Sequence, residues 1–174
     1  MKADLKVVGP CAIFPRYLVA GGTQIKVGEP VHSVATYSGG AATANTMVLA
    51  AADTPVIGTH NFGGVANEDS NNVAAGTVLE QFLNVATPVP NTGRIRGKAE
   101  TAANVDTLSE LAAIIMDKSL INYDATGGTD GGELYTIKDT AAADVNGLII
   151  VGGNIALSTL DVVVEGRAYC IDVT

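Results

Sequence analysis

The hydrophobic residues between positions 24 and 90 occur in short runs rich in β-branched side chains, separated by turns of glycine, proline and Asn-Asp-Ser. Three runs have this form, at residues 24–31, 56–66 and 77–85, and the first contains a Gly-Glu-Pro turn. Short strands separated by such turns are typical of small closed or nearly closed β-domains. We therefore expect this part of the chain to fold as a small β-barrel or a β-sandwich-like domain.

The second half of the chain continues the strand pattern. Residues 94–100 alternate basic with small or apolar side chains, which predicts a strand with one charged, solvated face. Four further strands are predicted, at 133–138, 147–151, 160–165 and 168–173, the last two separated by a turn or bulge at Gly166. The predicted fold class is therefore mainly β. In the first half, residues 38–54 are rich in small side chains and predict a loop, with a short strand at 47–51 as the alternative.

One segment, at about residues 106–120, has the periodicity of an inserted α-helix. Thr107 and Glu110 have the spacing of a capping box, and Asp106 is a competing N-cap. The apolar face of this helix contains Leu108, Leu111, Ala112, Ile114 and Ile115. We expect the helix to cover a sheet face or the mouth of a barrel.

Residues 1–23 form an apolar segment that Pro10 and Pro15 prevent from being a regular helix. The segment predicts an extended N-terminal arm, which either forms an edge strand of its own domain or lies on a partner. Residues 24–174 then form the β-rich domain. A possible internal boundary lies near residues 87–93, where the chain is punctuated by proline.

The charge of the chain is uneven. Its formal net charge is −8, with 10 basic and 18 acidic residues, and the excess of acids lies after residue 100. An acidic section repels nucleic-acid phosphates and anionic lipid, so neither is an expected partner. The near-neutral N-terminal section suits contact with another protein.

Cysteine content and hydropathy favour a soluble protein made in a reducing cytosol. Cys11 and Cys170 lie near opposite ends, and two free thiols are favoured over a disulfide, although the sequence leaves both open. No apolar run reaches the roughly 18 residues that a membrane span requires.

Catalytic and metal-binding patterns are sparse. Residues 93–99 have three residues between their glycines and lack the Ser or Thr of a phosphate loop. His32 and His60 form no metal-ligand spacing, and a spatial pair of either with Cys11 has no local support. The acidic turns at 67–72 and 124–133 are expected to be solvated loops, not calcium sites. We expect no enzyme activity, no cofactor and no metal.

Arg94, Arg96 and Lys98 are the strongest basic feature, but no aromatic residues lie between them as they do in many nucleic-acid sites. Two interpretations remain: a solvated strand face, or a surface that meets acidic side chains of a neighbouring protein subunit.

Residues 25–31 read IKVGEPV, and residues 63–70 read GGVANEDS. These two segments resemble the head decoration, or cement, proteins of tailed bacteriophages. Residues 104–107 with the helix that follows, 145–153 and 166–168 are also similar to phage virion proteins of this kind.

The resemblance implies a compact, often trimeric β-domain that sits on the capsid surface after synthesis in the host cytoplasm. It contacts the major capsid protein and helps the shell resist internal DNA pressure. In such proteins an N-terminal arm often adds a strand to a capsid edge, which here implies residues 1–19. The candidate capsid contacts are Leu5, Val7, Val8, Ile13, Phe14, Arg16, Tyr17, Arg94 and Arg96. The alternative is a tail or baseplate component, or a glycan-binding β-module of a virion.

Overall fold

The computed structural model of the chain describes residues 5–19, 25–38, 41–49, 55–57, 61–70, 82–123, 135–144 and 146–169. The side chains at 14–19, 33–38, 41–49, 61 and 82 lie outside this description. Strands dominate the described residues, so the prediction of a mainly β fold is confirmed.

Twelve strands are described, together with one short α-helix, α1, at Leu108–Ile114. The first six strands are β1 Lys6–Val8, β2 Cys11–Val19, β3 Pro30–Ser38, β4 Ala41–Leu49, β5 Asn61–Ala66 and β6 Phe82–Pro88. The others are β7 Arg94–Lys98, β8 Lys118–Ser119, β9 Ile121–Tyr123, β10 Tyr135–Ile137, β11 Leu148–Asn154 and β12 Thr159–Val164. Single 3-10 turns lie at Ala102–Asn104, Ile155–Leu157 and Gly166–Tyr169.

Five strands pair in a ring, in the order β2, β4, β3, β5, β6 and back to β2. Four of the five pairings are antiparallel, and the ring closes through a short parallel pairing of β2 with β4, in which Leu18 lies opposite Thr46. The register of β2 against β6 shifts between Phe14 and Tyr17, on either side of Pro15. A bulge fits there because proline has no N–H to donate to the ladder.

The other large sheet has five strands in the order β1, β7, β12, β11, β8, all antiparallel. Strands β9 and β10 form a separate antiparallel pair. Strand β6 of the barrel ends at Pro88, and strand β7 of this sheet begins at Arg94. The turn at 89–93 therefore connects the barrel to the sheet.

One hydrophobic core joins the barrel to the five-stranded sheet. The inner face of the sheet supplies Ile95, Leu148, Ile150, Leu160, Val162 and Val164, all fully buried. Phe62 and Val65 of β5 pack into the same cluster from the barrel. The Tyr169 ring lies 6.0 Å from the Phe62 ring, and its hydroxyl donates to the Pro88 carbonyl at 2.7 Å. The sheet and the barrel are therefore packed against each other as one unit.

The N-terminal segment pairs with the chain itself. Strand β1 pairs with β7, strand β2 enters the barrel, and the Leu5 side chain is only 2% exposed in the core. Of the two alternatives for this segment, the described residues follow the first, because both strands pair within the protein. Strand β1 lies at the edge of the five-stranded sheet, and β2 is paired on both sides within the barrel.

The helix is shorter than the predicted span of about 106–120. Its capping box is confirmed, because the Thr107 side chain accepts from the Glu110 N–H and Glu110 reaches back to Thr107. Helix α1 ends at Ile114, after which Met116 donates to the Ile150 carbonyl and Ile150 donates to the Asp117 carbonyl. Pairing with the sheet edge thus replaces the later helical turns.

The helix also uses a narrower apolar face than predicted. Leu111 and Ile114 pack against the core, whereas Leu108 is 72% exposed. Three other boundaries differ from the sequence prediction. Residues 41–49, expected to be mostly loop, form a full strand, and residues 25–29 form a turn before β3. The strand expected at 168–173 begins instead as the 3-10 turn Gly166–Tyr169, and its remaining residues lie outside the described part of the chain.

Candidate functional site

The outer face of the five-stranded sheet is rich in positive charge. Residues directly opposite each other in antiparallel strands share a face. Lys6 of β1 lies opposite Arg96 of β7, and Arg96 lies opposite Asp161 of β12. Arg94 and Lys98, each two positions from Arg96, therefore lie on the same face. The alternation predicted for this strand is confirmed, since Arg94 and Arg96 are exposed and Ile95 is buried.

The register adds a fifth cation from the far edge of the sheet. Arg94 lies opposite Val163, Val163 opposite Ile149, and Ile149 opposite Lys118 of β8. We call the surface that carries Lys6, Arg94, Arg96, Lys98 and Lys118 the cationic face. It holds half of the ten basic residues of a protein whose net charge is −8.

A buried carboxylate organises the centre of the cationic face. Asp161 is 4% exposed, and its two oxygens accept from Arg96 Nε at 2.6 Å and Arg96 Nη2 at 2.8 Å. Arg94 Nη1 lies farther away, 3.8 Å from Asp161 Oδ2. The hydrogen bonds to Asp161 raise the pKa of Arg96. Two charge-assisted bonds fix the plane of the Arg96 guanidinium, while its remaining N–H groups are unused by Asp161.

The lysines at the margins of the cationic face have separate contacts. Lys98 Nζ donates to the Leu157 carbonyl at 2.8 Å. Lys118 pairs with Glu165, which also accepts from Arg167 at 2.9 Å. Lys6 is exposed and makes no ion pair with any described residue. The positive charges are thus ordered by the sheet but only partly neutralised within it.

The residues predicted to contact a capsid separate onto two sides of β1. Val8, half-buried, shares the cationic face with Arg94. Leu5, Val7 and Ile13 instead line a shallow groove of about 340 Å³ between β1 and the barrel.

Within that groove the predicted contacts differ in how far they are open to a partner. Ile13 is 55% exposed, whereas Leu5 is 2% exposed and packs in the core. The side chains of Phe14, Arg16 and Tyr17 lie outside the described residues.

The two segments that carry the family resemblance are bonded to each other. Gly28 donates to the Ala66 carbonyl at 2.9 Å, and Ala66 donates back to the Glu29 carbonyl at 2.8 Å. Ile25 and Ser70 are joined by two bonds, one through the serine hydroxyl. Gly28 has φ +87°, a conformation that favours glycine. These segments form a single structural junction beside the barrel.

The acidic turn after β5 serves this junction. Asp69 accepts from the Val27 N–H at 2.8 Å and pairs with Lys26 at 3.2 Å, and these bonds lower its pKa. Glu68 accepts from the Asn84 N–H at 2.8 Å. Both carboxylates therefore have structural partners in the protein. The other acidic turn, at 124–133, lies outside the described residues.

A buried acid lies at the centre of the same junction. Glu29 Oε2 accepts from the Lys26 N–H at 2.8 Å, yet burial raises the pKa of this carboxyl, and the nearby Asp69 raises it further. Burial and the charge of Glu29 also raise the pKa of Tyr135, whose hydroxyl has no hydrogen-bond partner among the described residues. Ionising Glu29 therefore works against this packing.

The other catalytic and metal-binding features considered are sparse among the described residues. No group of three His, Cys, Asp or Glu side chains there is arranged to hold a metal ion. Cys11 is an exposed free thiol, whereas His60 and Cys170 fall outside the description. No helix in the described part of the chain is long and apolar enough to cross a membrane.

Several residues of the cationic face were not identified from the sequence. Arg94, Arg96 and Lys98 stand out as an alternating basic run, but Lys6, Lys118 and Asp161 lie far from them in sequence. Asp161 had one signal, a lone carboxylate in the apolar run of β12.

No family model, curated protein or solved structure matches this chain.

Proposed function

We propose that this chain is a structural protein of a tailed-bacteriophage virion that binds the outer surface of the capsid and stabilises it. The observation that carries the proposal is the cationic face, a rigid and positively charged surface on an acidic, mainly β protein. A protein that works by contact needs such an ordered surface and needs no reactive group.

The size of the cationic face indicates how this chain would bind the capsid. Four strand spacings and the five residues of β7 give a patch of about 19 Å by 17 Å. A standard protein interface buries about 800 Å² on each partner, so the cationic face by itself supplies less than half of one interface. Self-association, with a trimer favoured, multiplies such small contacts on a symmetric shell.

The stabilising effect follows from linking neighbouring subunits. A rigid body that contacts two or more copies of the major capsid protein must be detached before those copies separate. Anything that binds only the intact shell shifts the equilibrium toward that shell. The bonded junction of residues 25–31 with 63–70 and the shared core make this chain suitably rigid.

The proposal is tested by adding the purified chain to expanded capsids of the cognate phage that lack it. We expect the chain to sediment with the capsids and to raise the temperature at which they release DNA. A truncation of residues 2–19 is a poor test, because it removes β1 and β2 and so tests folding.

The matched comparison uses two double variants that each remove two positive charges. Arg94→Gln/Arg96→Gln removes them from the cationic face, whereas Lys26→Gln/Lys138→Gln removes them elsewhere. Capsid binding should be lost only in the first. Absence of capsid binding by the unmodified chain, or its attachment to tails alone, would overturn the proposal.

A further inference from the structure

The charges of the cationic face are segregated in a way that the fold does not require. The chain has 18 acidic residues, but only two of the described carboxylates meet these five cations: Asp161, beside Arg94 and Arg96, and Glu165, which pairs with Lys118. Lys6 and Lys98 make no ion pair with any described residue, so the face keeps an excess of positive charge.

The geometry at the centre of the face matches a carboxylate ligand. Asp161 already occupies one edge of the Arg96 guanidinium in a two-bond arrangement. Arg96 is 45% exposed on its side chain and Arg94 52%, with Arg94 at 3.8 Å only loosely held. The unused N–H groups of these two arginines suit a second carboxylate, since guanidinium and carboxylate have complementary planar forms.

We infer that the cationic face is a docking surface for an acidic segment of a partner protein, whose carboxylates bind the N–H groups of Arg94 and Arg96 that Asp161 leaves unused, while the negative charge of Asp161 repels them. The inference rests on the proposed function, because it names the chemistry of the surface on which this chain would sit. A compact cluster of carboxylates fits a patch of about 19 Å by 17 Å.

Nucleic acid fits the same face less well. Its duplex carries a charge every 1.7 Å or so along the axis, so it would extend from the patch over the acidic remainder of the protein. The face also presents no aromatic side chain among its described residues for a base to stack on.

The experiment measures binding of a fluorescent deca-glutamate peptide by polarisation at two salt concentrations. We expect Arg94→Gln/Arg96→Gln to weaken binding by about tenfold or more, and Lys26→Gln/Lys138→Gln to weaken it far less. Higher salt should weaken binding of the unmodified chain.

Asp161→Asn is the sharper variant, because it removes a negative charge that repels the incoming carboxylates and should tighten binding by about threefold to tenfold. Glu68→Gln removes one negative charge away from the face and should change binding little. Misfolding would weaken binding, so it cannot imitate the tighter binding expected of Asp161→Asn.

Three outcomes would overturn the inference: equal loss in both double variants, no tightening by Asp161→Asn, or tighter binding of a labelled 20-base-pair DNA duplex than of the peptide. Peptide binding with the expected variant pattern, but without capsid binding, would retain this inference and reject the proposed function. Capsid binding that is unchanged by the substitution of Arg94 and Arg96 would reject this inference and retain the proposed function.

Discussion

Gly97 lies where the N-terminal strand packs onto the sheet, and replacing it with alanine should loosen that strand. A Cβ added at Gly97 would lie 2.5 Å from Leu5 Cδ2 and 3.3 Å from Ile137 Cδ1. Both neighbours are buried in the shared core, so the new methyl group has no open space to occupy.

The expected cost is set by overpacking. Inserting a methyl group into a well-packed core costs about 1–3 kcal/mol, and we expect Gly97→Ala to lower the free energy of unfolding by that amount. Leu5→Ala removes the closest neighbour and should cost about 2–5 kcal/mol when made alone.

A double-mutant cycle separates this contact from other effects, with urea unfolding followed by circular dichroism as the assay. Because Leu5→Ala removes the atom that clashes, the double variant should cost at least about 1 kcal/mol less than the sum of the two single variants. Gly152→Ala on β11, two strands away in the same sheet, is the control. A Cβ there meets nothing within 4 Å, so its effect should stay within about 0.5 kcal/mol.

The reasoning would be refuted by strictly additive costs for Leu5→Ala and Gly97→Ala. It would also be refuted if Gly97→Ala were as harmless as Gly152→Ala. Either result would mean that Leu5 does not pack over Gly97 in solution.

Two further predictions concern the capping box and the buried acid. Thr107→Ala should lower the free energy of unfolding by about 1 kcal/mol, because the Glu110 N–H loses its acceptor, and an unchanged urea midpoint would contradict the observed cap. Glu29→Gln should stabilise the protein at neutral pH. Its raised pKa means that the carboxyl favours the folded state while protonated, and that this stability is lost as pH rises through the folded-state pKa. The gain from Gln should therefore shrink as pH falls through the raised folded-state pKa toward the ordinary glutamate pKa of about 4.3, and the same gain at every pH would contradict this account.

Local signals in the sequence were sufficient wherever a structure depends on near neighbours. The alternation at 94–98 has a period of two, which is a property of a strand whatever it pairs with. The capping box is likewise complete within the four residues from Thr107 to Glu110. Both features are present as predicted.

Features that depend on distant pairing could not be predicted. The register that brings Asp161 to Arg96 joins residues 65 positions apart, and the pairing of Lys6 with Arg96 spans 90 positions. Strand β4 is made mostly of Ala and Thr, and pairing on both of its sides prevailed over its weak strand signal. Helix α1 ends before its predicted last residue for the same reason, because the backbone that follows it hydrogen-bonds to the edge of the sheet.

The central claim is most directly tested by electron cryomicroscopy of expanded capsids saturated with this chain. The account predicts density for the chain on the outer capsid surface, with Arg94 and Arg96 turned toward acidic side chains of the major capsid protein. Density confined to the tail, or a chain seated with its cationic face turned to solvent, would contradict it.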